Sequence, residues 1–167
     1  MNNDAIVIFE ALSPGVRAPE RATEGSAGYD LRAYLMDRLI QVAIGEQREE
    51  RPTRPGAGGI VLRPEERVLV PLGFRARLPS GFEAQVRIRS SVAFRKGLLI
   101  PNAPGTIDAD YPDEWLVMLK NAGDGPVVIE HGERIAQVVF ARYQVVEWSA
   151  GTVALSTSRR GGLGSTE

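Results

Sequence analysis

The stretch RVLVPLGFRARLPSGFEAQVRIR, residues 67–89, decides the fold class. Apolar side chains recur at every second position between residues 68 and 78, and they do so again between residues 82 and 88. Side chains alternate across the two faces of a β-strand, so this period of two predicts two half-buried strands. The sequence Pro79-Ser80-Gly81 between them is typical of a turn.

Short apolar segments without this alternation follow in the rest of the chain. They lie at residues 5–9, 115–119, 127–129 and 135–141. Such runs are typical of strands buried on both faces, in one core or against a partner subunit. Residues 91–96 resemble a short helix, and we expect Trp115 and Trp148 in the core. The pattern predicts an all-β, jelly-roll-like sandwich or barrel with one short helix.

The length of 167 residues suits one domain. We expect residues 1–148 to form it. Residues 36–59 are expected to be an extended loop insertion, because residues 45–59 are rich in Gly, Pro, Glu and Arg. Residues 149–167 are rich in Gly, Ser and Thr, which predicts a flexible tail or lid.

The composition excludes several classes of function. Lys and Arg number 20 against 21 Asp and Glu, so the basic excess of a general nucleic-acid or membrane-surface binder is missing. No cysteine is present, which excludes disulfides, thiolate metal sites and cysteine nucleophiles. The N-terminus lacks signal-peptide features, and no apolar run approaches the roughly 20 residues that cross a bilayer. We expect a cytoplasmic protein with neither a nucleic-acid nor a membrane partner.

The first candidate site is Arg89-Ser90-Ser91, where a predicted strand ends and the predicted helix begins. Backbone N–H groups at a helix start favour anions, and an arginine with two hydroxyls would suit phosphates. The alternative is an ordinary serine N-cap beside a solvated arginine, and the three residues alone favour this alternative.

A second candidate follows the turn at residues 101–105. A period of two places Asp108 and Asp110 on one side of a strand, opposite Ala109. One carboxylate could act as a general base towards water, and two could hold a metal ion, although a full cage needs more ligands. The alternative is a pair of exposed turn acids beside a packing tyrosine, Tyr111.

Two further segments are ambiguous. Residues 161–166 are rich in glycine and could wrap phosphates with backbone amides. They lack the lysine and the strand–helix setting of a P-loop, so an unstructured tail is the simpler interpretation. His131 is the only histidine and lies in an apparent turn, so we expect it to have no catalytic or metal role.

The order of these segments resembles the trimeric dUTPase family, whose members carry five short motifs in fixed order. The matching segments are residues 27–31, 89–93, 102–111, 132–137 and 161–166. The resemblance covers nearly the whole chain except the 36–59 region, and it implies a homotrimer with sites shared between subunits. It also implies hydrolysis of dUTP to dUMP and pyrophosphate. The Mg²⁺ cofactor would be held by phosphates and waters, with no protein metal ligands.

The resemblance implies a role for each matching residue. Asp108 matches the general base that orients water for in-line attack on the α-phosphorus, and Asp30 matches an acid that supports the site through water. Tyr111 matches the tyrosine under the deoxyribose, which leaves no room for a 2′-hydroxyl. The residues that match the uracil reader are Asn102, Thr106, Ile107 and Leu116. Those that match phosphate contacts are Arg89, Ser90, Ser91 and Gln137. Those in the tail motif are Arg159, Arg160, Leu163, Gly164 and Ser165.

The chain departs from the family pattern in its tail, where the arginines are shifted and Leu163 replaces a phenylalanine that stacks on uracil. A lost stack costs about 1–3 kcal/mol. Two alternatives therefore stay open, a relaxed-specificity dNTP diphosphatase and a nucleotide-binding regulatory protein with little turnover. Deamination, as in the related dCTP deaminases, is not expected, because Met118 stands where those enzymes need a glutamate.

Overall fold

The computed structural model describes residues 5–54 and 58–154. The strands are β1 (Ile8–Ala11), β2 (Tyr29–Arg32), β3 (Leu39–Ile44), β4 (Gln47–Pro52), β5 (Ile60–Leu62), β6 (Arg67–Pro71), β7 (Phe74–Arg77), β8 (Phe82–Ile88), β9 (Leu98–Leu99), β10 (Gly105–Ile107), β11 (Leu116–Asn121), β12 (Val127–Ile129) and β13 (Arg134–Arg142). These ranges contain one helix, α1 (Ser90–Lys96). None of the described residues forms a helix long and apolar enough to cross a membrane.

Two antiparallel sheets form the body of the molecule. One has the order β10-β8-β13-β2 and the other the order β4-β3-β6-β11-β9, and two further pairs are β1-β7 and β12-β5. Residues from both sheets meet in one buried cluster, whose largest fully buried side chains include Trp115, Leu31, Leu35, Ile40, Ile60 and Leu62. The prediction of an all-β, jelly-roll-like fold with one short helix is confirmed.

The stretch 67–89 folds as three strands, not two. Its alternate apolar residues between positions 68 and 78 are buried, as predicted. However, the chain leaves the five-stranded sheet after β6 and pairs with β1 as β7. Gly73 lies at this change of partner with a φ of +76°, and a Cβ there would lie 2.8 Å from a methyl group of Val16. A glycine is therefore needed where the chain passes from one sheet to the other.

Residues 36–59 contain a β-hairpin of β3 and β4, so the prediction of an extended loop is wrong for these strands. β3 buries Ile40 and Val42 and pairs with β6. β4 is the edge of the five-stranded sheet, and its sequence of Gln, Arg and Glu is almost wholly exposed. Charged residues on an edge strand discourage pairing with other chains. The domain boundary at residues 148–149 stays a prediction.

Ion pairs connect the β3–β4 hairpin and its flanking residues to the rest of the domain. Arg51 makes a bidentate contact with Glu66, at 2.8 and 3.0 Å, and Glu66 is buried. Hydrogen bonding from Arg51 lowers the pKa of the Glu66 carboxyl below its ordinary value. Two further pairs are Arg38 with Glu114 and Arg54 with Glu130. The hairpin is thus held in a fixed position on the sheet.

Predictions about apolar residues near the two ends of the chain have different outcomes. Residues 5–9 are not buried in the core of one chain, since Ile6 and Ile8 are exposed, and their burial against a partner subunit stays a prediction. Trp115 is buried as predicted, whereas Trp148 is 96% exposed in a segment without strand structure. Exposed apolar side chains close together are typical of surfaces that meet a partner.

Candidate active site

Strands β2, β13 and β8 lie side by side and bring motif residues onto one face. Gln137 of β13 is opposite Asp30 of β2 and Arg87 of β8. Directly opposite residues of antiparallel strands point to the same face, so the Gln137 amide and the Asp30 carboxylate share a face. Leu31 and Ala136 point to the other face and are fully buried.

Asp30 lies between two guanidinium groups. Arg89 Nε is 3.2 Å from Asp30 Oδ1, and Arg134 Nη1 donates to Asp30 Oδ2 at 3.0 Å. Arg89 Nη1 also donates to the Arg134 carbonyl oxygen at 3.4 Å. Asp30 and Arg89 are half-buried, which weakens solvent screening of the pair. In the single chain the carboxylate is therefore engaged directly by both arginines.

Arg89, Ser90 and Ser91 lie where β8 meets α1. Arg89 is the N-cap residue, with an extended backbone and no side-chain cap hydrogen bond. Ser90 and Ser91 lie inside the first turn and are exposed. The alternative of an ordinary serine N-cap is therefore wrong. Both serines are open to solvent next to Arg89, where a phosphate can reach them.

Gly28 makes room for Gln137. A Cβ on Gly28 would overlap Gln137 Oε1 and lie 2.9 Å from its Cδ. Gly28 belongs to the first motif, residues 27–31, but the family resemblance implies no role for it. The structure supplies one, because only a residue without a side chain lets the Gln137 amide lie against this loop.

A small pocket lies beside β10. Its lining includes all four residues matched to the uracil reader, Asn102, Thr106, Ile107 and Leu116, together with Met118. The Asn102 amide lies against Gly105, since a Cβ on Gly105 would be 3.5 Å from Asn102 Nδ2. An amide side chain and backbone groups next to it offer both donors and acceptors, which can read the edge of a base.

The chain turns directly after β10. Tyr111 N donates to the Asp108 carbonyl oxygen at 3.2 Å, which closes a turn. The prediction that Asp108 and Asp110 share one side of a strand is therefore wrong, because β10 ends at Ile107. Both acids are exposed, and Asp110 and Tyr111 line another cleft against β1 and β7. Asp108 is exposed and directly follows Ile107, a lining residue of the pocket at β10.

One chain distributes the predicted residues over three clefts. Asp30 borders a cleft between β2 and residues 14–22. The residues matched to the uracil reader line the pocket at β10, and Tyr111 lines the cleft against β1. The tail residues Arg159, Arg160, Leu163, Gly164 and Ser165 lie outside the described residues.

His131 has a structural role. Its Nδ1 accepts a hydrogen bond from the Leu35 backbone N–H at 3.0 Å. Its ring packs edge-on against Tyr34, with ring centroids 5.2 Å apart. The imidazole therefore fixes the start of the segment that leads to β3.

Comparison with known proteins places this chain in a family. A family model described as dCTP deaminase-like matches residues 15–143. A deoxyuridine 5′-triphosphate nucleotidohydrolase of Treponema pallidum subsp. pallidum is 42% identical over 162 residues, which cover 96% of this chain and 97% of that relative. The chain belongs to the dUTPase family. The resemblance seen in the five motifs is thereby confirmed.

Solved dUTPases share the fold. A mutant of the Staphylococcus bacteriophage 80alpha dUTPase with dUpNHpp has a TM-score of 0.71 and 24% identity, over 93% of this chain and 94% of that chain. A mutant dUTPase from phage phi11 of S. aureus, described with a structural Mg(II) ion, has a TM-score of 0.70 and 20% identity, over 90% of this chain and 99% of that chain. At these identities the likeness shows the fold alone.

Proposed function

We propose that the protein is a dUTP diphosphatase, which hydrolyses dUTP to dUMP and pyrophosphate. The observation that carries this proposal is the pocket at β10, where Asn102 and Leu116 meet the strand and Asp108 follows it directly. Backbone and amide groups there can match the donor–acceptor pattern of uracil while failing that of cytosine. The name of the Treponema relative, a deoxyuridine 5′-triphosphate nucleotidohydrolase, supports the same substrate.

Asp108 acts as the general base in this proposal. It takes a proton from the water that attacks the α-phosphorus in line, and the bond to the pyrophosphate leaving group breaks. Asp108 is exposed and follows Ile107, which lines the base pocket, and this supports the role because the water and the phosphate must both reach the carboxylate. Tyr111, at the end of the same turn, packs under the deoxyribose and excludes a 2′-hydroxyl.

The side chains that we assign to the triphosphate lie on another face of the fold. Arg89 contacts phosphate oxygens with its guanidinium group, and the hydroxyls of Ser90 and Ser91 donate hydrogen bonds to the same phosphate. Gln137 adds a neutral amide to this face, and Arg89 is paired with Asp30 before the nucleotide arrives. Donors aimed at the phosphates stabilise charge that develops in the transition state.

Mg²⁺ is part of the proposal, and the residues present fit it. The described residues contain no group of three or more His, Cys, Asp or Glu that could form a protein cage. Mg²⁺ commonly keeps several waters and binds through one or two carboxylates plus substrate phosphates. Asp30 is the carboxylate that would hold it, through water. When bound, the ion neutralises charge on the triphosphate.

We propose a homotrimer, in which copies share their sites. The residues assigned to base binding line the pocket at β10, whereas none of the residues assigned to phosphate binding lines it, and a neighbouring copy would bring the two groups together. Exposed Val145 and Trp148 support contact between copies. The tail residues Arg159, Arg160, Leu163, Gly164 and Ser165 would close over the nucleotide. A cytoplasmic location, without nucleic-acid or membrane partners, belongs to the same proposal.

Isotope labelling tests the reaction. The protein is incubated with Mg²⁺ and dUTP in H₂¹⁸O, and the products are analysed by mass spectrometry. Attack on the α-phosphorus puts one ¹⁸O into dUMP and none into pyrophosphate. Label in pyrophosphate would contradict the proposed point of attack. Binding of dUTP without products would favour the regulatory protein that turns over little nucleotide.

A further inference from the structure

β13 carries a β-bulge between Arg134 and Ala136. Ile135 and Ala136 are both fully buried, although successive residues of a regular strand point to opposite faces. Alternation continued back from Gln137 would put Arg134 on the buried face with Ala136. The extra residue instead brings Arg134 to the face that carries Gln137 and Asp30. Bulges often re-aim a side chain in this way next to active sites.

The re-aimed Arg134 reaches a carboxylate that Arg89 already contacts. Arg134 is 3.0 Å from one oxygen of Asp30, and Arg89 is 3.2 Å from the other. The Asp30 side chain is only 17% exposed, so water compensates poorly for a lost partner. One half-buried carboxylate is therefore shared by two cations that repel each other.

We propose that Arg134 is a positioning residue, which keeps Asp30 paired while Arg89 turns to the nucleotide phosphates. The inference rests on the proposed function, because it takes Arg89 as a phosphate ligand. Without Arg134, the movement of Arg89 would leave a half-buried carboxylate without a cation. The phosphates would then compete with Asp30 for Arg89, and the nucleotide would bind more weakly.

A double-mutant cycle tests whether Arg134 acts through Asp30. The dissociation constant of dUpNHpp is measured with Mg²⁺ for the full-length wild type, Arg134→Gln, Asp30→Asn and the double variant. Arg134→Gln alone should weaken binding about tenfold, whereas in the Asp30→Asn background it should change binding by less than about twofold. Arg134→Lys, which keeps the charge, should recover part of the loss.

Arg32→Gln is the matched control. Arg32 lies opposite Arg134 in the strand register and donates to the Gly132 carbonyl oxygen at 3.0 Å. The Arg32→Gln substitution removes the same charge from the same face and leaves the contacts of Asp30 in place. We therefore expect the dissociation constant of dUpNHpp to change by less than about twofold. A tenfold loss here as well would mean that general charge, not the contact with Asp30, decides binding, and it would overturn the inference.

Kinetics separate positioning from a merely structural role. Arg134→Gln should raise KM for dUTP with kcat little changed, because the lost pairing affects ground state and transition state alike. Equal weakening of binding in both backgrounds would overturn the inference, since Arg134 would then contact the phosphates itself. No effect in the wild-type background would overturn it too. If Arg134→Gln fails to fold, Arg134→Met, which also removes the charge but keeps an apolar side chain of similar length, gives the same cycle with and without Asp30→Asn.

Failure of the inference differs from failure of the proposed function. A wild-type protein that neither binds dUpNHpp nor hydrolyses dUTP overturns both. A wild type that does both, with no coupling between Arg134 and Asp30, overturns the inference alone.

Discussion

The Gln137 amide fills the space where a side chain on Gly28 would begin. A Cβ at Gly28 would overlap Gln137 Oε1 and lie 2.9 Å from Cδ. Gly28 directly precedes β2, and Gln137 is opposite Asp30 of that strand. The glycine therefore allows the amide to lie on the same face as the Asp30–Arg89 pair.

Gly28→Ala should damage activity more than stability. The two closest atoms belong to the end of a flexible side chain and can rotate away, while the Gln137 Cβ, 3.2 Å from the added methyl group, needs only a small shift. A displaced amide loses its aligned position, and we expect kcat/KM for dUTP to fall about tenfold or more. The midpoint of thermal unfolding should change by only a few degrees.

Gly25→Ala is the control for this variant. Gly25 lies in the same loop before β2, and a Cβ there would have no neighbour within 4 Å. Its kcat/KM should stay within about twofold of the wild type. Similar losses in both variants would mean that the loop backbone, not the Gln137 amide, limits turnover.

The Arg51–Glu66 pair should make the hairpin sensitive to acid. Hydrogen bonding from Arg51 lowers the folded-state pKa of Glu66 below 4.5, the ordinary value. A lowered carboxylate pKa stabilises the fold fully above that value, and the contribution is lost as the pH falls through the folded-state pKa. Glu66→Gln should lower the free energy of unfolding by about 2 kcal/mol at pH 7, measured with urea. The deficit should shrink below pH 4.5.

Glu10→Gln provides the comparison for this prediction. Glu10 also pairs with an arginine, Arg75, but both side chains are about half exposed. Solvent screens such pairs, so the free energy of unfolding should hardly change. A deficit for Glu66→Gln that is the same at pH 7 and pH 3.5 would exclude titration of Glu66 as the cause.

Asp108→Asn should abolish hydrolysis and keep nucleotide binding. The amide cannot take the proton of the attacking water, and general base catalysis typically contributes about 10²–10⁴ in rate. The turnover number for dUTP should fall by at least the lower figure, while the dissociation constant of dUpNHpp stays within a few-fold. Substantial residual turnover would remove Asp108 as the base.

Asp110→Asn is the matched variant for this test. Asp108 and Asp110 lie in the same turn, and both are exposed. We assign no chemistry to Asp110, so its variant should keep near-normal turnover. If both variants lose activity to the same extent, the charge of the turn matters and no single base is identified.

Leu163→Phe should tighten the binding of dUTP. An aromatic side chain in the tail can stack on the base, which is worth about 1–3 kcal/mol in comparable platforms. We expect KM for dUTP to fall about fivefold or more, with Val153→Phe as a control for added apolar surface. An unchanged KM would mean that the tail does not cover the base in this protein.

Alternation in the sequence was sufficient to predict the fold class, because Ala84 and Val86 are buried where a period of two requires it. It did not reveal where strands end. At Gly73 the chain passes from one sheet to another, although the alternating apolar pattern continues without a break. Alternation shows which face of a strand is buried, but it does not show which neighbouring strand it pairs with. β4 was missed because an edge strand can be polar on both faces. Ile40 and Val42, two positions apart and both buried, were the sequence signal that could have predicted β3.

The sequence named candidate site residues, and the structure brings some of them together, but their geometry was not predicted. Motif order identified Asn102 and Leu116, and the structure brings them to one pocket. The direct contact of Asp30 with Arg134 was not predicted, because it depends on the bulge in β13, which two adjacent apolar residues do not by themselves indicate. Asp108 was placed on a strand that ends one residue earlier.

The ratio of kcat/KM for dUTP to that for dTTP, dCTP and UTP, measured by pyrophosphate release with Mg²⁺, tests the central claim most directly. We expect dUTP to be preferred by at least about 10²-fold over each of the other three. The base of dCTP would leave donors and acceptors of the pocket unpaired, the methyl group of dTTP needs room that the small pocket at β10 does not offer, and Tyr111 excludes the 2′-hydroxyl of UTP. Comparable values for several deoxynucleotides, or no pyrophosphate from dUTP, would contradict the proposal of a dUTP-specific diphosphatase.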